Sequence, residues 1–336
     1  MAGLNVGVIG LGVGEAHIEG YNAHPGCRVV AVCDFDEAKC TAAAQKYPGV
    51  RITKEAQDIL TAADIDIVSI ASFDNYHYEQ VIQALQHDKH VFVEKPICLY
   101  EPELADIRAA LAANPNLRLS SNLILRKCRR FQNLKKRIAR GEFGELYFVE
   151  GDYNYGRLEK ITQGWRGKLD FCSVVYGGAI HMVDLLLWLT GQKVTRVSAV
   201  GTQIASRATT FKHNDMVVAL LEFENGMLGK VAANFGCVGP HFHGLRLYGT
   251  ARSFENGRDT AVEYTARDTA ATPRINTDPY PGYHKSELVT NFVDTILGKC
   301  PAEVTADEVF AVMSVCLAIE KAAAASNGKA VAVAYA

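Results

Sequence analysis

Short apolar runs alternate with amphipathic stretches over the first 120 residues. Leu4–Ile9 is an apolar run that ends in Gly10-Leu11-Gly12-Val13-Gly14, and Glu15–His24 then has a helical pattern. Arg28–Cys33 is a β-branched run stopping at Asp34, followed by an Ala-rich helix over Asp36–Tyr47 and a short one over Glu55–Ala62. Ile65–Ala71 reads as a buried strand, His77–Gln86 as an amphipathic helix and His90–Val93 as a strand. Glu101–Ala113 is again helical, and Leu117–Ser121 closes the series as a strand. Strands separated by helices of this length predict an α/β unit: a doubly wound parallel sheet with helices on both faces and right-handed crossovers.

The pattern changes near Asn122. A basic helix over Arg126–Arg140 is closed by Gly141. Longer alternating strands follow at Glu145–Tyr153, Val194–Val200, Asp215–Phe223, Met227–Ala233 and His243–Tyr248. Asn225-Gly226 joins two of them in a hairpin, because both turn residues need positive φ. Helices are predicted at Gly178–Leu189, Ser286–Gly298 and Ala306–Ala325, the last stopping at Asn327-Gly328. The chain therefore divides into a doubly wound domain over 1–122 and an α+β domain with a large, mostly antiparallel open sheet over 123–336. An uncovered face of that sheet would be a large apolar patch, so a homodimer or homotetramer is expected.

Composition adds exclusions. At 336 residues and 49% hydrophobic content, the chain has ample material for two cores. A net charge of −2 argues against a nucleic-acid partner. There is no 18-residue apolar stretch and no basic-then-apolar leader, so neither membrane insertion nor export is expected. Nine scattered cysteines without a Cys-x-x-Cys pair read as reduced thiols of a cytoplasmic protein, with no metal site.

Gly10, Gly12, Val13 and Gly14 lie between a strand and a helix. Such a turn lets backbone approach a pyrophosphate, which the helix N-terminus favours. The usual Gly-x-Gly-x-x-Gly is not met, since Glu15 takes the third glycine's place. A glycine-rich turn without a ligand is the alternative. Asp34, 20 residues past Gly14, strengthens the cofactor reading. A carboxylate there can accept ribose hydroxyls and repel a 2′-phosphate, favouring NAD over NADP.

Glu94-Lys95-Pro96 after a strand, Ser72-Phe73-Asp74-Asn75-Tyr76-His77 and Gly177-Gly178-Ala179-Ile180-His181-Met182-Val183-Asp184 point further. With Gly141–Glu145 and Trp165-Arg166, they make the chain resemble the Gfo/Idh/MocA dehydrogenases over nearly its whole length. The resemblance implies a Rossmann domain and an open-sheet domain. It also implies NAD-dependent oxidation or reduction of a hydroxyl-bearing carbon of a sugar, cyclitol or nucleotide sugar. It assigns cofactor contacts to Ser72, Asp74, His77, Glu94, Lys95, Trp165 and Arg166. Oxidising a carbinol requires stabilising a developing alkoxide and removing its proton. Lys95 is the expected cation and His181 the expected acid/base, with Asp184 one helical turn on to orient the ring or bind a hydroxyl. Many relatives carry an aspartate where this chain has Gly177; Tyr176 or Asp170 is a candidate replacement.

Substrate contacts are expected from Lys95, His181, Asp184, Tyr155, Tyr283 and Arg126. The basic helix reads best as a solvated face, with a nucleic-acid patch or a sugar-nucleotide diphosphate site at Arg126 or Arg130 as alternatives. His241 and His243 share one strand face without a third ligand, and read as substrate loop or surface. Two rival functions remain: a relative that recycles bound NAD in glycoside elimination, and a non-catalytic NAD or sugar sensor.

Overall fold

The structure, a computed structural model, describes residues 3–325 and 328–335. The chain forms two compact units. One comprises Met1–Ile124 and His284–Met313; the other comprises Leu125–Tyr283 and Ser314–Tyr335. The first boundary thus lies close to Asn122, but residues 284–313 return to the first unit instead of staying with the second. The expected helix stop at Asn327 lies outside the described residues.

The first unit is built on six parallel strands: β1 (Leu4–Ile9), β2 (Cys27–Cys33), β3 (Arg51–Thr53), β4 (Ile67–Ile70), β5 (His90–Val93) and β6 (Leu119–Ser121). Their order is β3-β2-β1-β4-β5-β6, the doubly wound order of dinucleotide-binding sheets. The central strands are covered on both faces, with Val6, Val8, Ile67, Val68, Ile70, Val91, Phe92 and Val93 fully buried. This is why they lack polar alternation. Strand β3 carried no sequence signal, being three residues with an exposed arginine. The returning helix Glu287–Ile296 packs on the first helix, Gly14–Asn22, where Gly20 permits close contact: a Cβ there would lie 2.4 Å from Val289 Cγ2. Phe292 adds an aromatic contact to Phe92 of β5 at 5.6 Å.

The second unit holds nine strands: β7 (Leu146–Asn154), β8 (Val194–Thr202), β9 (Met216–Phe223), β10 (Leu228–Asn234), β11 (Phe242–Gly249), β12 (Ser253–Glu255), β13 (Ala261–Tyr264), β14 (Arg274–Asn276) and β15 (Val331–Ala332). The order is β14-β13-β12-β11-β7-β10-β9-β8-β15, antiparallel except for the β7–β10 pair. Gly226, at φ 86°, completes the expected β9–β10 hairpin. Helix Ile180–Thr190 packs on β7 and against helix Arg129–Ala139, and its residues 180–186 are all buried. Between two layers, a helix can be apolar nearly all round.

The basic helix is a structural part of this unit, not a solvated face. Arg130 is fully buried. It donates to the carbonyls of Asp278 (2.9 Å), Gly257 (2.7 Å) and Asp259 (2.9 Å), and to Asn256 Oδ1 (2.8 Å). Arg137 pairs with Glu142 and with the buried Glu263. Lys135 donates to the Trp188 carbonyl (2.6 Å) and sits over that indole. Only Arg129, Lys136 and Arg140 of this helix's cations are exposed. The same contacts count against the diphosphate reading of Arg130: it is fully buried, and four of its five N–H donors are used inside the fold.

The outer face of the large sheet also departs from expectation. Val200, Leu220 and Leu228 are more than half exposed on it. Between them runs a charged ladder: Lys230 with Glu150 and Asp152 (both 2.9 Å), Arg246 with Glu150 (3.5 Å), and Arg196 with Glu222 (3.5 Å). Ion pairs therefore interrupt the apolar patch.

Arg130→Met keeps the volume of the side chain but leaves four acceptors without their donor. We expect a loss of about 3–5 kcal/mol in urea unfolding. A loss under about 1 kcal/mol would show that the guanidinium does not hold these loops.

Candidate functional site

In the first unit, the β1–helix turn has the form required of a phosphate cradle. Gly10 sits at φ 91°, and a Cβ on it would lie 2.3 Å from the Ala71 carbonyl oxygen. At Gly12 a Cβ would meet nothing within 4 Å, so the turn opens outward there. Gly14 packs the helix start against β1: its Cβ would come within 3.1 Å of Val8 and 3.2 Å of Ala71. The close-packing glycine has thus moved one residue forward. Glu15 is consequently free to turn outward and pair with Lys46 at 2.7 Å. Val13, half-open to solvent, precedes the first helical turn with its free N–H groups.

Asp34 stands at the end of β2, its carboxylate nearly buried. Oδ2 accepts from the Leu11 N–H (2.7 Å) and Lys39 Nζ (3.2 Å), and Oδ1 from the Asp36 N–H (3.0 Å). A carboxylate has about four acceptor positions, so a ribose diol needs Lys39, 42% exposed, to move aside. Two residues missed by sequence reasoning border this point. Phe35, 66% exposed, meets Phe73 edge-on at 5.4 Å, a flat apolar rim suited to a base.

The segment bearing Lys95 is fixed from two sides. His77 is buried, with Nδ1 2.6 Å from the Pro96 carbonyl and Nε2 3.2 Å from that of Ser72. It ties the loop after β4 to the loop after β5. Both ring nitrogens are engaged with the protein, so His77, expected from the resemblance to contact the cofactor, clamps these two loops. Ser72 Oγ bonds Gln80 at 2.7 Å, and Asp74 lies half-buried in the turn Asp74–Tyr76.

Glu94 likewise turns inward. Its Oε1 accepts from His17 Nε2 (3.2 Å) and Asn122 Nδ2 (2.7 Å), while His17 Nδ1 meets Ser69 Oγ (3.0 Å). Burial alone would raise this carboxyl. The His17 hydrogen bond and charge, the Lys95 charge and the Asn122 hydrogen bond outweigh it and bring it to about 2. Lys95 is half-buried beside this fixed anion. His17, Ser69 and Asn122 carried no sequence signal, because their positions converge only when β1, β4, β5 and β6 pair.

In the second unit, His181 opens helix Ile180–Thr190 just after a π-helical turn, Val175–Ala179, and is 9% exposed. Such turns re-aim side chains at functional sites. Its ring stacks on Tyr153 at 5.8 Å, within a wall containing Tyr155, Phe235, His241 and His243. Asp184 and Arg126 do not join it. They form a bidentate pair, Arg126 Nη2–Asp184 Oδ1 2.6 Å and Nε–Oδ2 3.2 Å, with side chains 3% and 1% exposed. The two residues expected to serve catalysis and substrate binding are thus joined in a buried ion pair. It anchors the chain before the basic helix to helix Ile180–Thr190.

The Gly177 position is filled by an aromatic ring: a Cβ there would stand 3.2 Å from Phe235 Cζ. Neither candidate replacement takes the aspartate's place in the wall. Tyr176 is buried edge-on to Phe171 (6.0 Å), and Asp170 is exposed. Arg166 stacks on Trp165 (4.3 Å) in the turn Trp165–Lys168. Tyr283 is half-buried, and burial followed by the Cys128 charge pushes its phenol up to about 12. His241 and His243 are not surface residues: His243 is 4% exposed. Among the described residues, no group of three or more His, Cys, Asp or Glu could hold a metal.

A doubly wound sheet, a glycine cradle open at Gly12 and an acidic residue ending β2 define an oxidoreductase with an NAD-binding Rossmann fold. Residues 4–123 match the family model described in those words, and residues 131–255 match the GFO/IDH/MocA C-terminal domain. The chain belongs to the Gfo/Idh/MocA family. Inositol 2-dehydrogenase of Salmonella typhimurium is 26% identical over 219 residues, 64% of this chain and 63% of its own length. The scyllo-inositol dehydrogenase of Lactobacillus casei, solved with bound NAD(H) and scyllo-inositol, has a TM-score of 0.79 at 20% identity, covering 98% of this chain and 99% of its own. The WlbA dehydrogenase of Bordetella pertussis, solved with NADH and UDP-GlcNAcA, gives 0.83 at 23% identity, covering 99% and 98%. At these identities the structural likeness establishes the fold.

The two glycines should separate fold from binding. Gly10→Ala should cost at least about 2 kcal/mol of stability, from positive φ and the Ala71 clash. Gly12→Val should leave thermal unfolding unchanged yet weaken NAD binding at least tenfold by titration calorimetry. Equal behaviour of the two variants would refute the cradle.

For Glu94 the sign follows from its lowered carboxyl. Its contribution is complete above the unfolded value of about 4.3 and is lost as pH falls toward about 2. Glu94→Gln should flatten the stability–pH curve in that window; an unchanged slope there would count against the buried anion.

Proposed function

We propose that this protein transfers a hydride reversibly between NAD and the carbinol carbon of a sugar, cyclitol or nucleotide sugar. The observation that carries the reading is Lys95. It is a cation at the carboxyl end of β5, where doubly wound sheets bind ligands. The His77 clamp and the Glu94 network hold its segment on both sides. NAD, when bound, supplies the hydride acceptor.

The protein's own part is charge and proton management. Lys95 stabilises the alkoxide that develops as the carbon loses hydride. His181 accepts the hydroxyl proton, and returns it in the reverse direction. Gly12 and the helix N-terminus hold the pyrophosphate, and Asp34 selects the ribose diol. The aromatic wall suits a sugar or cyclitol ring, whose C–H face is apolar while its hydroxyls are not.

Nine scattered cysteines without a Cys-x-x-Cys pair fit a reducing compartment, which supports the cytoplasm. No helix among the described residues is long and apolar enough to cross a membrane. The exposed Val200, Leu220 and Leu228 support a homodimer or homotetramer through the large sheet.

A panel of inositols, aldoses and nucleotide sugars with NAD, read at the reduced-nicotinamide absorbance, should give turnover with at least one class. Lys95→Ala and His181→Asn should each lower kcat by at least a factor of about 10² with folding intact. Near-wild-type rates in Lys95→Ala would sink its assignment. Tightly held NAD with no net NADH would favour the cofactor-recycling chemistry instead. Light scattering should find a dimer or tetramer; monomer alone at micromolar concentration would remove that part.

A further inference from the structure

The aromatic wall of the second unit contains a histidine that the proposed proton transfer leaves unused. Tyr153 lies at the centre of the wall, with ring centroids of His241 at 4.8 Å and His243 at 5.4 Å. His243 is 6.5 Å from His181, ring to ring. Its surroundings fix both its charge and its tautomer.

Tyr280 does the fixing. Its hydroxyl oxygen is 2.8 Å from the His243 backbone nitrogen and also 2.8 Å from His243 Nδ1. A backbone N–H can only donate, so the phenol accepts from it. Among the described residues the hydroxyl meets no other acceptor, so its hydrogen is satisfied by pointing at Nδ1, which then accepts it. A neutral imidazole with Nδ1 as acceptor carries its proton on Nε2. Burial, followed by the His241 charge, pushes this imidazole down to about 3, which keeps the ring neutral.

Neither partner can drift. Tyr280 meets Phe131 (5.8 Å) and Phe242 (5.6 Å) edge-on, under the buried Arg130 guanidinium at 5.3 Å. Asn256 donates to the His243 carbonyl (2.9 Å) while accepting from Arg130 (2.8 Å). Backbone N–H, backbone carbonyl and Nδ1 of His243 are therefore all engaged. Among the described residues Nε2 makes no hydrogen bond.

We propose that His243 reads the substrate: Tyr280 holds its Nε2–H as a fixed, uncharged donor to one hydroxyl of a neutral polyol ring lying on the Tyr153 wall. This rests on the reaction proposed above and narrows its substrate to an uncharged polyol. An unchanging donor suits orientation, and leaves proton exchange to His181. Tyr280 is a positioning residue and His243 the contact.

Two measurements on the full chain test this. Histidine-selective ¹⁵N labelling with long-range proton correlation reads the tautomer directly, His243→Gln supplying the assignment. Wild type should show Nε2 protonated and Nδ1 not, and Tyr280→Phe should mix the tautomers. His243 protonated at Nδ1, or at both nitrogens near neutral pH, overturns the proposal. Kinetics with NAD and myo- or scyllo-inositol form the second arm. His243→Phe should raise KM for the polyol roughly tenfold, with kcat and KM for NAD within a few-fold. His243→Gln, which can offer an N–H again, should recover most of the loss. One deoxy-inositol should show the tenfold penalty with wild type and no further penalty with His243→Phe. Additive penalties for every deoxy analogue overturn the contact. If the tautomer is as expected and no polyol turns over, the reaction assignment fails and the contact with it, while the Tyr280 device stands.

Discussion

Burying a charge without a partner costs more than this fold can spare, and that constraint organises both units. In the first, the inward-facing Glu94 carboxylate is matched by His17 and Asn122. In the second, Asp184 is matched by Arg126 and Glu263 by Arg137, and Arg130 is held by three carbonyls and an amide. Each match fastens one loop or helix to another. The polar core is thus the framework on which the chemistry is mounted.

The basic helix shows the consequence. Its charge pattern, taken alone, suggests a surface for solvent or polyanions. In the fold, Arg130 reaches through to the loops around Asn256 and Asp278 and so holds Asn256 and Tyr280 in place. Those two residues grip His243 by its backbone and its ring. A buried cation on another element thereby sets the orientation of a side chain in the aromatic wall.

The departures from the family pattern have local physical causes. Glu15 can stand where a third glycine is usual because Gly14 provides the close helix–strand contact. At Gly177 a Cβ would stand 3.2 Å from Phe235 Cζ, so a side chain there would have to press that ring aside. At Gly178 a Cβ would come within 2.3 Å of Tyr153, so the π-helical turn needs a bare backbone there. Where many relatives carry a carboxylate, this wall presents the aromatic ring of Phe235.

The sequence by itself determined the alternation of strands and helices, the change of architecture near Asn122, the Gly10–Gly14 turn, Asp34 and the Glu-Lys-Pro segment. All of these are local, so periodicity and turn chemistry expose them. It could not show that residues 284–313 rejoin the first unit, since helix Glu287–Ile296 looks the same whichever core it covers. Nor could it separate His181, which lies in the wall, from Asp184 three residues on, which faces Arg126. Short strands such as β3, β12, β13 and β14 carried too few residues to show a period. Only the tertiary structure decided which charges were scaffold and which were free for chemistry. The reason is physical: a side chain's role depends on its partners, and partners 58 to 148 residues apart, such as Arg126 with Asp184 and Arg130 with Asp278, meet only when the chain folds.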